Sequence, residues 1–178
     1  MSLEFTEIAR YELIKNIAIM TETNTYVELG TRGFEQINRI VSYVERAIGV
    51  DLILRDRWKE NMDDRVEFYQ MATDKYIEGL GFKIPWIDML FIDADHSYVQ
   101  SYTDFINFHP HVKPNGIIIL HDSYPPEQKY ISSSYCGEVY KTAWRIRTEW
   151  KEEFEICTIP GSFGVSVIRK ADKQLIWK

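Results

Sequence analysis

Cysteine is scarce in this chain. Cys136 and Cys157 are its only two in 178 residues, they carry no metal-ligand spacing, and they form at most one bridge, so a disulfide scaffold is excluded and a reduced, cytoplasmic setting fits best. Basic clusters are also lacking: none is longer than Arg145-Ile-Arg147, and a net charge of −6 argues against nucleic acid as a partner. Long apolar runs are missing as well. The first 24 residues interleave Glu4, Glu7, Arg10, Glu12 and Lys15 with their apolar positions, so neither a signal-peptide core nor a membrane partner is expected. No repeat or low-complexity segment interrupts the chain. What remains is 45% hydrophobic and 14% aromatic, enough for one packed domain over residues 1–178, with aromatics to spare for lining a pocket.

The stretch Asp88-Met-Leu-Phe-Ile-Asp93-Ala-Asp95-His96 organises the rest. Its apolar run suits a central strand buried on both faces, as parallel sheets require. Asp93, Asp95 and His96 then crowd the carboxyl edge, where open α/β sheets bind ligands and where clustered carboxylates need a cation, a proton or donors.

Taken in order, residues 1–24 predict an amphipathic leading helix, and Thr25 to Leu29 a strand stopped by Gly30-Thr31-Arg32-Gly33. Phe34, Ile37, Val41 and Val44 then follow a helical stripe. Ala47 to Val50 forms the second strand, the charged segment 54–65 a surface helix, Val66 to Met71 the third strand, and Lys75 to Phe82 a short helix. Tyr98 to Phe108 is helical, Val112 to Gly116 a turn, and Ile117 to Leu120 a fifth strand ending in His121-Asp122-Ser123. Residues 123–137, with Tyr124, Tyr130 and Tyr135, form a loop long enough to wall a substrate. A helix from Val139 to Trp150 precedes a hairpin of two strands, Phe154 to Ile159 and Phe163 to Arg169.

Three strand ends carry ligand-binding signals. Gly30 and Gly33 let a ligand approach the backbone beside a helix N-terminus. Glu28 would repel a pyrophosphate but accepts hydrogen bonds from an ammonium, which favours an amino-acid moiety over a dinucleotide. Asp51 lies about 20 residues after Gly30, the spacing at which an acid holds both ribose hydroxyls. Thr73 and Asp74 stand at the third strand's edge, where they reach an adenine amino group or cap a helix.

Val27-Glu-Leu-Gly-Thr31, Gly49-Val-Asp51, Phe91-Ile-Asp-Ala-Asp-His-Ser-Tyr98 and Lys113-Pro-Asn-Gly-Ile-Ile-Ile-Leu-His-Asp122 together resemble the class I S-adenosylmethionine-dependent methyltransferases, in particular their small-molecule, catechol-type O-methyltransferase branch. The resemblance spans residues 25–170. It implies a three-layer, Rossmann-like α/β fold with a mostly parallel seven-stranded sheet and an antiparallel C-terminal hairpin. It implies S-adenosylmethionine as cofactor, held by Glu28, Gly30, Thr31 and Gly33 at the methionine end, Asp51 at the ribose and Asp74 at adenine. Asp93 counts with both the cofactor-binding and the catalytic groups. The family usually has its last glycine one position beyond Gly33, so the turn here is tightened.

That branch binds a divalent metal through an acid after the fourth strand, an acid after the fifth and an amide beside it. Asp93 and Asp122 match the acids, Ser123 stands in the amide position, and Asp95 or His121 is left to complete the set. Mg²⁺ suits such oxygen donors; backbone donors and the histidines are the alternative. For O-methylation of a small-molecule acceptor, His96 is the first choice of base and His121 the second. The rival readings are a module that binds the cofactor without transfer, and a metal-dependent hydrolase using the Asp and His cluster. The leading helix, Trp58 and Trp177 are candidate homodimer contacts.

Overall fold

The structure, a computed structural model, describes residues 7–80 and 86–171. Helix α1 (Glu7–Met20) leads into the strands β1 (Thr25–Leu29), β2 (Arg46–Asp51), β3 (Val66–Gln70), β4 (Ile87–Ile92), β5 (Val112–His121), β6 (Phe154–Ile159) and β7 (Val165–Lys170). Between them lie the helices α2 (Ile37–Ile40), α3 (Asp56–Lys59), α4 (Thr73–Leu80), α5 (Tyr98–Phe108) and α6 (Val139–Glu149). The strands form one sheet in the order β3-β2-β1-β4-β5-β7-β6. The first five run parallel, and β7 is antiparallel to both β5 and β6. This is the α/β sheet with an antiparallel terminal hairpin that the sequence predicts.

Both faces of the sheet are covered, which explains its near-continuous apolar strands. Alternate residues serve opposite layers. Val27, Leu29, Leu90, Ile92, Ile118 and Leu120 pack with Phe105, Phe108, Val139 and Ile146 from α5 and α6. Tyr26, Met89, Phe91 and Ile119 pack instead with Ile14, Ala18, Ile37 and Ile40 from α1 and α2. Phe105 is fully buried among the rings of Phe154, Trp150 and His109, with centroids 4.9–5.8 Å away.

Several expected elements are shorter. The helix expected from Phe34 to Val44 is reduced to α2 and a 3₁₀ turn, Val41–Tyr43. Arg32 and Phe34 take positive φ angles of 44° and 67°, and burying Phe34 completely ends the turn before a helix can begin. The helix expected over 54–65 is a single turn, α3. Asn38 diverts the chain there: its side chain donates to the Asn61 carbonyl (2.5 Å) and accepts from the Asp63 N–H (3.2 Å). The turn expected at 112–116 instead belongs to β5, whose register against β4 shifts between Ile87 and Met89 to admit Asn115 at φ 64°. Trp58 packs against the α1 and α2 layer, and Trp177 lies outside the described residues. No described helix is long and apolar enough to cross a membrane.

Truncating Phe105 to Ala removes the ring at the centre of this aromatic cluster. Urea denaturation should show a loss of about 3–5 kcal/mol with little change in slope.

Candidate active site

At the sheet's topological switch point β1 and β4 lie side by side and their chains leave in different directions. The Asp93 N–H donates to the Leu29 carbonyl (2.9 Å). Gly30 then passes so close, at φ 86°, that a Cβ there would stand 2.2 Å from the Asp93 carbonyl oxygen. Only glycine fits. Above this crossing opens a cleft of about 960 Å³, bounded by Asp51 and Asp74 at one end and by Tyr135 and Phe163 at the other.

Glu28 shares a strand face with Tyr26, whose hydroxyl donates to its Oε2 (2.7 Å). Burial is the main cause that pushes the Glu28 carboxyl up to about 8; nearby Asp93 adds to the shift, while Tyr26 and Arg10 oppose it. Two more buried groups on the same wall lack protein partners: the Thr31 hydroxyl and both amide atoms of Gln36, which is 4% exposed. A buried amide with nothing to bond is costly unless a ligand satisfies it. The wall therefore fits a zwitterion, with Glu28 for an ammonium and Gln36 for a carboxylate. Gln36 gives no sequence signal, because its burial is set by the tertiary structure.

Asp51 ends β2 and accepts from the Arg32 N–H through Oδ2 and the Ile53 N–H through Oδ1, both at 2.8 Å. These bonds hold the carboxylate in the cleft with a lone pair left on each oxygen. Asp74 reaches the cleft beside Thr73, whose hydroxyl donates to the buried Asp104 (2.5 Å); Gln100 Nε2 bonds both of them. Gly33 does not line the cleft, and a Cβ there would meet the Glu35 carboxylate.

The acids gather at the tips of β4 and β5. Asp122 is 4% exposed at φ 55°, a strained backbone for any residue with a side chain. His96 and Asp93 turn toward it, and Asp93, His96 and Asp122 each bring one potential ligand atom within 4.8 Å of the others. Asp95 is not part of the group: it is exposed and accepts from the Ser97 N–H (2.7 Å), bracing the start of α5. Ser123 is turned away too, accepting from the Ser166 hydroxyl (2.8 Å) on β7.

Arg10 of α1, missed by the sequence reading, reaches this cluster. Its Nη1 is 3.3 Å from Asp93 Oδ2 and 3.1 and 3.0 Å from the two ring nitrogens of His121. A single nitrogen that close to both lies over the ring face, so Arg10 stacks on the imidazole. His121 is then free to donate in its own plane, from Nδ1 to Asp93 Oδ1 (3.1 Å) and from Nε2 to the Ser162 carbonyl (2.9 Å). Both partners are acceptors, which favours the protonated ring. Burial works against that charge, but Asp93 and Asp122 outweigh it and raise the ring to about 9. Near neutral pH a ring so raised keeps its proton. Burial likewise pushes Asp93 up, and His121, Arg10 and His96 overcome it, holding the carboxyl below its ordinary range. His96 differs. Its Nδ1 bonds the Tyr135 carbonyl, and its Nε2 faces Asp122 Oδ2 at 3.2 Å and Asp93 Oδ1 at 3.9 Å.

This charge pattern does not suit a divalent ion. Both oxygens of Asp93 already take N–H donors from cations, and His121 Nδ1 lies 3.4 Å from Asp122. Unit charges 4 Å apart interact by about 4 kcal/mol at an effective dielectric near 20, and a divalent ion doubles the repulsion from each cation.

Residues 22–123, more than half of the chain, match the family described as a methyltransferase domain. No curated protein matches the sequence. Among solved structures, a protein named as a caffeoyl-CoA O-methyltransferase from Staphylococcus aureus is similar at 15% identity and a TM-score of 0.73, over 93% of this chain and 85% of that one. The O-methyltransferase of Bacillus cereus, solved in complex with SAH, aligns at 14% identity and 0.70, over 95% and 84%. An O-methyltransferase of Streptomyces achromogenes involved in tomaymycin synthesis, solved with SAM, aligns at 13% and 0.68, over 93% and 81%. Identities this low establish a common fold.

The raised groups make the ligand-free protein weaker in alkali. Folded Glu28 keeps its proton to about 8, against an ordinary 4.5, and His121 keeps its own to about 9, against 6.5. Each contributes fully below the lower value and loses its contribution as pH rises through the higher one. Urea unfolding from pH 5 to 9 should record a fall on the order of 7 kcal/mol, about half of it from each group. Glu28→Gln should abolish the fall between pH 5 and about 6.5, halve it from there to 8, and leave the His121 portion in place.

Proposed function

The chain belongs to the methyltransferase-domain family, and from that premise we propose that it is an S-adenosylmethionine-dependent methyltransferase that methylates a hydroxyl oxygen of a small, planar acceptor without a metal. The observation that carries this reading is one cleft whose walls suit the cofactor from end to end and whose far end holds His96 beside an aromatic wall. Bound there, S-adenosylmethionine supplies a sulfonium methyl, whose C–S electron pair returns to sulfur as the acceptor oxygen forms the new bond.

The chain's own residues do the rest. Glu28 gives up its proton when an ammonium arrives and accepts from it; Gln36 donates to the carboxylate. Asp51 takes the two ribose hydroxyls, and Asp74 stands at the adenine edge with Thr73. In its neutral form His96, oriented by the Tyr135 carbonyl, takes the acceptor's proton at Nε2, and Asp122 stabilises the resulting imidazolium. Alignment of the hydroxyl with the methyl group supplies much of the acceleration.

Tyr130, Tyr135 and Phe163 form the acceptor wall, their ring centroids 5.2–6.4 Å apart. Tyr135 and Phe163 line the cleft and remain 49% and 36% exposed, as a stacking surface for a planar ring requires. The hydrolase reading is weaker, since Asp95 is occupied at α5 and His121 carries a proton on each nitrogen.

S-adenosylhomocysteine at a hundred times its Kd should add about 2.7 kcal/mol of stability, read as a rise in melting temperature. Asp51→Ala should lose that rise. Calorimetry in buffers of different ionisation enthalpy should record proton release from Glu28, with affinity climbing up to about tenfold per pH unit below 8. His96→Gln should retain binding within about twofold while methyl transfer to phenolic acceptors drops by about 100-fold or more. A wild-type melt unmoved by S-adenosylhomocysteine would refute the reading.

A further inference from the structure

The Asp74 end of the cleft holds a polar side chain that none of the strand-end motifs supplies. Gln100, in the first turn of α5, lines the cleft together with Thr73 and Asp74. Its Nε2 donates to Asp104 Oδ1 (3.0 Å) and to Thr73 Oγ1 (3.3 Å). The Thr73 hydroxyl gives its one hydrogen to Asp104 (2.5 Å), so its oxygen is left to accept from Gln100. Two acceptors therefore face the amide from the protein side and use both hydrogens of Nε2. Oε1 is the amide atom left over. Turned the other way, the amide would set its oxygen against the Asp104 carboxylate and leave that group one donor short.

Asp104 lies one turn beyond Gln100 on the same face of α5. It is fully buried, its Oδ2 finds no hydrogen-bond partner among the described residues, and burial raises its carboxyl against the opposing bonds from Thr73 and Gln100. A buried carboxylate so sparsely bonded is unfavourable for folding. What it secures is the direction of the amide.

We propose that Gln100 reads the exocyclic amine of the cofactor's base, with Asp104 and Thr73 as positioning residues that keep its Oε1 for the cleft. The inference rests on the reading of this cleft as an S-adenosylmethionine site and adds its base specificity. An exocyclic amine has two N–H groups to give, and Asp74 on α4 and Gln100 on α5 offer one acceptor each. A 6-oxo purine has no hydrogen at that position and sets an oxygen against both acceptors. The cleft thus selects a 6-amino base through a helix residue that no glycine turn or strand end marks.

Isothermal titration calorimetry of the full chain with S-adenosylhomocysteine, and with S-inosylhomocysteine, whose base carries an oxo group in place of the amine, reads this selection as a ratio of dissociation constants. Wild-type protein should bind the 6-oxo ligand at least about 100-fold more weakly. Gln100→Leu and Gln100→Ala should each weaken S-adenosylhomocysteine by about tenfold and leave S-inosylhomocysteine near its wild-type value, which narrows the ratio by the same factor. Asp104→Asn gives Gln100 Oε1 a donor and lets the amide turn, so the ratio should narrow by about threefold or more, with tighter binding of S-inosylhomocysteine. A purely structural role would weaken both ligands alike and leave the ratio unchanged. Gln100 is only half-buried, so its variants keep the fold, which circular dichroism melts verify. Folded Gln100→Leu or Gln100→Ala protein with the wild-type ratio would overturn the proposal, as would folded Asp104→Asn protein that keeps it. S-adenosylhomocysteine bound by all of these at an unchanged ratio removes this inference alone; wild-type protein that binds neither ligand refutes the cofactor reading and the inference with it.

Discussion

The close passage of β1 and β4 at their carboxyl ends governs the rest of this structure. The Asp93 N–H reaches the Leu29 carbonyl, and Gly30 runs where no side chain fits. Because the strands diverge just beyond this point, a cleft must open there. Glu28, Asp51, Asp93, His121 and Asp122 stand at or within one residue of a strand end, and Arg10 stands on the leading helix. Enlarging Gly30 would force apart the two strands that hold Glu28 and Asp93, so packing and chemistry share one constraint.

Electrostatics follows from that geometry. Burying Glu28, Asp93 and Asp122 near one another is unfavourable, and the fold resolves it in two ways. Glu28 has a tyrosine hydroxyl and, among the described residues, no ion-pair partner, and burial holds its proton. Asp93 has Arg10 and His121, and it stays ionised. Two carboxyls of similar intrinsic acidity thereby acquire different tasks: one waits for an ammonium, the other anchors a cationic pair. His121 is spent in that pairing, which leaves His96, oriented through the Tyr135 carbonyl, as the histidine with a nitrogen turned to the cleft. The loop before α6 matters for the same reason, since its Glu138 N–H also bonds the His96 carbonyl (2.7 Å).

Strands were easier to read than helices. β1, β2, β4 and β5 are apolar runs bounded by charge or glycine, and their burial on both faces makes that pattern local and unambiguous. The helices expected at 34–44 and 54–65 shrank because Phe34, Asn38 and Asp63 form contacts that periodicity cannot register. The strand-end residues Glu28, Gly30, Asp51, Asp93, His96 and Asp122 were legible from their position after apolar runs. Asp95 was not distinguishable from Asp93 by that criterion, since only the direction of its side chain separates a turn brace from a member of the cluster.

The sequence alone determined the sheet, its direction of ligand binding and the set of acids at its edge, because each depends on residues adjacent in the chain. Tertiary structure decided which of those groups carry protons and which carry charge. Arg10 meets His121 across 111 positions, and Gln36 is buried with its amide unpartnered. A protonation state depends on burial and on neighbours in space. Neither quantity exists until α1 has closed over the sheet.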